Sequence, residues 1–152
     1  MKKVISLIIV LAFAMSTMAQ KELRISDVFE GKAVSIKDKV ETHIKGKTLE
    51  PYKLSVLRTI KFSTTANDRD IVERLFSTDM KMVDASTKEN FEMESRDGHL
   101  YYAVVQISDY QGQHRYICYQ CKRTGDEYKI TLAYMRGKAT ISELRKMFKK
   151  NK

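Results

Sequence analysis

The 152-residue chain contains one proline, two cysteines and no tryptophan. With a single proline and no Pro/Gly/Ser-rich stretch, nothing in it reads as an interdomain linker. Two cysteines are too few for a disulfide-built mini-protein, so a fold must rest on a hydrophobic core. No apolar run reaches the ~20 residues needed to span a bilayer. There is no P-loop, G-x-G-x-x-G, G-x-S-x-G or H-E-x-x-H pattern, which removes the commonest nucleotide, dinucleotide, hydrolase and metalloprotease chemistries. Neither a cofactor nor a metal is expected, and there is no internal repeat or low-complexity tract.

The composition that remains, 43% hydrophobic and 31% charged, is that of one globular domain. Lys+Arg number 28 against 19 Asp+Glu, a formal net charge of +9. The N-terminus accounts for part of that charge. Lys2 and Lys3 precede an apolar stretch from Val4 to Met15 broken only by Ser6, and Ser16-Thr17-Met18-Ala19 supplies small residues before a cut. This is the layout of a secretory signal peptide, with Gln20 expected as the first mature residue. Residues 20–152 then form a single α+β domain of net charge +7. If the host is bacterial, the expected destination is the periplasm, the cell surface or the medium.

Within that domain, Ile25, Val28 and Phe29 share one helical face and predict a short opening helix ending near Gly31. Lys39 to Ile44 and Leu54 to Thr64 read as strands, with a turn between Gly46 and Pro51. Ile71, Val72, Leu75 and Phe76 form a helical stripe whose cap is expected at Asn67 or Asp68. Phe91 to Ser95 is a short strand, and Asp97-Gly98 is a hairpin signal because that turn needs positive φ. Leu100–Ser108, His114–Arg123 and Glu127–Arg136 follow, separated by Gly112 and Gly125. Thr140-Ile141-Ser142-Glu143 is a capping box, with Ile141, Leu144, Met147 and Phe148 as the stripe behind it. The expected fold is α+β. An antiparallel sheet, with a four-strand C-terminal meander and about two earlier strands, is covered on one face by helices in a two-layer sandwich.

Four segments carry a resemblance. They are Leu23-Arg24-Ile25-Ser26-Asp27-Val28-Phe29, Leu100-Tyr101-Tyr102, Arg115-Tyr116-Ile117-Cys118-Tyr119, and the run from Leu132 through Thr140 into Glu143-Leu144-Arg145-Lys146-Met147-Phe148. Together they resemble small secreted domains of unknown function from Bacteroidales-type bacteria. The resemblance implies a bacterial envelope protein and brings no catalytic residue with it.

Cys118-Tyr119-Gln120-Cys121 is a C-x-x-C lying within a strand. Three strand residues span roughly 10 Å and alternate faces, whereas a disulfide needs Cα atoms within about 7 Å. Inert, packed thiols are therefore expected. The same alternation sets His114 and Cys118 against Cys121, which argues against zinc. Seven of the eight tyrosines lie between Tyr101 and Tyr134. They either pack across strands or form a platform for sugar or peptide. For a platform the candidates are Tyr102 and Tyr116, the latter because it falls on the face opposite Ile117 and Tyr119. Arg145, Lys146, Lys149, Lys150 and Lys152 concentrate charge in the last ten residues. They either complement the helix dipole or touch an anionic surface such as a membrane. Nucleic acid is not an expected partner of an exported chain. The expected function is a non-enzymatic module binding a peptide, glycan or envelope partner through its sheet. The alternatives are a small hydrolase or redox enzyme with a noncanonical site, or a stress or regulatory protein acting on membranes through its basic tail.

Overall fold

A computed structural model describes residues 22–83 and 90–149. The expected signal peptide, Lys150 and Lys152 lie outside the described residues. The element order is α1 (Ser26–Phe29), β1 (Lys37–Lys45), a 3₁₀ turn (Lys47–Tyr52), β2 (Leu54–Thr64), α2 (Ala66–Asp79), β3 (Phe91–Arg96), β4 (His99–Tyr110), β5 (Gln113–Thr124), β6 (Glu127–Gly137) and α3 (Ile141–Lys149). The six strands form one antiparallel sheet in the order β1-β2-β6-β5-β4-β3. The fold is thus α+β with the expected C-terminal meander. The two earlier strands extend it because β2 pairs with β6 from Leu54↔Gly137 to Thr64↔Tyr128.

Strand alternation gives the sheet two apolar faces. The front face carries Ile60, Phe62, Ile117, Tyr119, Ile130 and Leu132, packed with Leu23, Ile25, Val28, Phe29, Val72 and Phe76 from α1, α2 and the segment before them. Phe76 of α2 meets the Tyr119 ring at 5.4 Å between centroids. The reverse face carries Tyr116 and Met135, packed with Leu49 of the 3₁₀ turn and with Ala139 and Leu144 at α3. Covering by helices on one face only is therefore corrected. α1 and α2 share the front, and α3 folds back over one end of the reverse. An amphipathic pattern shows that a helix has an apolar side, not which face of the sheet receives it.

Local chemistry explains the boundaries. Thr65, in extended conformation, caps α2 by accepting the Asp68 N–H at 3.3 Å. The cap is therefore two residues ahead of the earliest position expected, and Asp68 falls in the first turn, where a carboxylate favours the dipole. At α3 the capping box closes as expected: the Glu143 N–H donates to Thr140 Oγ1 at 3.2 Å and the Thr140 N–H to Glu143 Oε2 at 2.9 Å. Asp97 and Gly98 have φ of 53° and 78° in the β3–β4 turn. Asp79, at the end of α2, is buried and accepts the N–H groups of Arg24 and Ile25 at 2.7 and 2.8 Å. It thereby ties the opening segment to α2.

Candidate functional site

The β3–β4 and β5–β6 turns and the start of α2 meet at one end of the sheet. They border an open cleft of about 630 Å³ whose walls include Arg69, Arg96, Tyr101, Lys122, Arg123 and Tyr128. The Arg69 guanidinium lies 4.3 Å from the Tyr128 ring centroid, and that of Arg96 3.5 Å from Tyr101. Stacking of this kind fixes the plane of a guanidinium. Arg69 is buried and further held by Asp70, with Nε–Oδ1 at 3.0 Å. Its Nη2 donates to His99 Nε2 at 3.2 Å. On the Nδ1–H tautomer that this donation implies, His99 donates to Glu73 Oε2 at 3.2 Å, while the Leu100 N–H donates to Glu73 Oε1 at 3.0 Å. This network clamps the β3–β4 hairpin onto α2. The ligand atoms of Asp70, Glu73 and His99 fall within 4.8 Å of one another, but they are already engaged in this clamp.

Arg96 is paired with Glu94 of its own strand at 2.8 Å. The β5–β6 hairpin is the basic wall. Lys122 lies directly across from Lys129, and Arg123 across from Tyr128. Like charges at directly opposed positions are unfavourable in a sheet.

The residues expected to form a site fall elsewhere. Tyr116, expected on the surface, is fully buried under α3, and its hydroxyl donates to the Ala139 carbonyl at 2.5 Å. That candidate is corrected, because the reverse face is itself a core at this end. Tyr102 is half-buried on the reverse face, opposite Glu94 and Gln120. Burial raises the pKa of its hydroxyl, reinforced by Glu92. Arg145 is partly exposed, and its Nε lies 2.9 Å from Glu92 Oε2, an ion pair that joins α3 to the edge strand β3. Lys146 is exposed. Lys149 ends the helix with its side chain outside the described residues. Cys118 and Cys121 are free and point to opposite faces. Burial pushes the Cys118 thiol up to about 12 and raises Cys121 as well. Both therefore stay protonated, which removes the thiolate that redox chemistry requires.

A second, smaller cleft of about 380 Å³ lies at the other end of the sheet, bordered by Asp109, His114, Tyr116, Thr140 and Ser142. His114 Nδ1 is 3.0 Å from Asp109 Oδ1 and 3.2 Å from Gln106 Nε2. Gln106 Oε1 in turn accepts from Asn90 Nδ2 at 2.9 Å.

The residues of the larger cleft come from three separate segments, which is why the sequence did not single them out. The available signal was partial: Tyr101 and Tyr128 belong to the tyrosine concentration, and Lys122-Arg123 adjoins a turn. Among the described residues no helix is long and apolar enough to cross a membrane. A family described as of unknown function, DUF6108, matches residues 12–148. No curated protein and no solved structure matches the chain.

Proposed function

We propose that this chain, which belongs to the DUF6108 family, is an exported, non-enzymatic binding module of the bacterial envelope. It takes an acidic peptide, an acidic glycan or an acidic segment of a partner protein into the cleft between the β3–β4 and β5–β6 turns. The observation that carries the reading is the convergence of Arg69, Arg96, Lys122 and Arg123 with two tyrosine rings on one open cleft. Arg69 and Arg96 are each already paired with a carboxylate of this chain, Asp70 and Glu94, so the excess positive field of the cleft comes mainly from Lys122 and Arg123. The binding surface is thus the turn end of the sheet rather than its Tyr102/Tyr116 face.

The test is fluorescence polarisation at low salt with two probes, fluorescein-labelled hexaglutamate and a labelled oligouronate. One or both bind the protein. The Lys122→Glu/Arg123→Glu double variant weakens that binding by roughly tenfold or more, because the basic wall changes sign. Failure of both probes, or equal binding by the variant, overturns the reading.

A second reading, a small hydrolase, is favoured by one observation. His114 is oriented by Asp109 in a cleft that also presents Thr140 and Ser142, which is the base-and-orienter half of a nucleophilic site. Turnover of a p-nitrophenyl ester that His114→Ala abolishes would establish it, and turnover that survives that substitution would remove it.

A further inference from the structure

Away from the cleft, at the end of the sheet where β1 and β6 finish, one row of the front face is crowded with cations. The register places Lys45 opposite Val56, Val56 opposite Arg136, and Arg136 opposite Arg115. Arg58 occupies the adjacent row beside Tyr134. Arg115 and Arg136 are therefore a like-charged pair directly opposed across β5 and β6, a destabilising arrangement in itself.

Their environments differ. Arg115 is buried and provided for. Its Nε donates to the Ser108 carbonyl at 2.7 Å, its Nη2 to Ser108 Oγ at 2.9 Å, and its Nη1 lies 3.7 Å from the Glu22 carboxylate. Arg58 donates through Nε and Nη2 to Glu41. Arg136, half-buried, is less fully provided for: its Nε and Nη1 are buried and have no hydrogen-bond partner. The neighbouring Tyr134 hydroxyl is also buried and lies against the Arg115 and Arg136 guanidinia, which offset part of the rise that burial gives its pKa. The Tyr110 ring lies beneath both guanidinia, 5.7 Å from that of Arg115 and 5.4 Å from that of Arg136. The field of Arg136 and Arg58 adds to burial in lowering the pKa of the Lys45 ammonium.

Arginine cannot escape such a site by losing its proton. A cation whose buried N–H groups are left unpaired is costly, and a bound anion offsets that cost. We propose that Arg136, flanked by Arg115 and Lys45 with the Tyr134 hydroxyl alongside, is a binding site for an oxyanion, the carboxylate or phosphate group of a ligand. A planar oxyanion matches the guanidinium fork, and the hydroxyl supplies a neutral donor at its side. The site is independent of the acidic-chain reading of the cleft, which lies at the opposite end of the sheet.

The test is thermal unfolding of the protein with inorganic phosphate, with succinate, and with chloride at matched ionic strength. Phosphate or succinate near ten times its dissociation constant raises Tm by about 3–6 °C above the chloride control. The arm that responds identifies the anion's source. Arg136→Gln abolishes the increment, and without anion it is as stable as the parent or more so, because it removes a half-buried charge with unpaired N–H groups. A purely structural arginine would give the reverse, a destabilised variant. ¹⁵N–¹H spectra of the arginine side chains read the site even where the variant fails to fold, since the Arg136 Nε–H shifts on anion addition. No anion-specific shift in either measurement overturns the proposal. Loss of acidic-chain binding at Lys122 and Arg123 leaves it unaffected.

Discussion

At the scale of single residues, the structure turns on polar side chains buried in an otherwise apolar frame. Asp79 shows what such a residue does. Its carboxylate accepts two backbone N–H groups from a segment more than fifty residues away in sequence, and this anchors α1 without a disulfide. Burial outweighs those bonds and raises its pKa above the ordinary 3.8. The folded state then holds the Asp79 proton more tightly than the unfolded chain does. Its contribution is most favourable below pH 3.8 and declines as pH rises through 3.8 towards the raised value. Asp79→Asn keeps one acceptor and turns a donor toward the second N–H, so it costs about 1–3 kcal/mol. That cost is largest in acid and shrinks as pH rises, because only the parent loses stability by ionising. Urea unfolding of both proteins across this range checks it, and a cost that does not vary with pH refutes the assignment.

At the scale of elements, the docking of α3 is the feature that decides which face of the sheet is open. The Tyr116 hydroxyl holds the Ala139 carbonyl, Leu144 is fully buried, and Lys53 Nζ lies 2.6 Å from Glu143 Oε1. Gly137 makes the corner possible. A Cβ there would strike the backbone of Lys53 and Leu54, the latter at 2.6 Å from its Cα. Leu144→Ala is expected to cost about 2–5 kcal/mol through the cavity it leaves. Tyr116→Phe costs about 1 kcal/mol, the net worth of one hydrogen bond. Chemical denaturation measures both, and if Leu144→Ala is neutral, α3 is not docked on the reverse face. The strands were legible because alternation and turn residues are local properties; Leu54–Thr64 matches its expected bounds. The α2 stripe and the α3 capping box were legible for the same reason. The β2–β6 pairing, the destination of α3 and the burial of Tyr116 were not, because each depends on contacts between distant segments. The cleft shares that origin, as does the Arg115–Arg136 pair: both are products of register, which period-two patterning leaves open.

At the scale of the whole molecule, charge and core bear together on export. Every described core residue lies at or beyond Leu23. Cleavage after Ala19 would therefore fall three residues ahead of Leu23, the first described core residue, and would remove none of the described core. It would also remove Lys2 and Lys3, lowering the net charge from +9 to +7. What is left is unevenly spent, since Arg145 of the basic C-terminal segment is engaged by Glu92 while Lys122, Arg123 and Lys129 cluster on the β5–β6 hairpin. Were the chain exported as proposed, the basic hairpin would meet its partners outside the cytoplasm, away from nucleic acid. Intact-mass spectrometry of the protein recovered from the periplasm or medium of an expressing bacterium should therefore give an N-terminus at Gln20. Recovery only from the cytoplasm with Met1 in place would refute export, and would return the basic cleft to competition with intracellular polyanions.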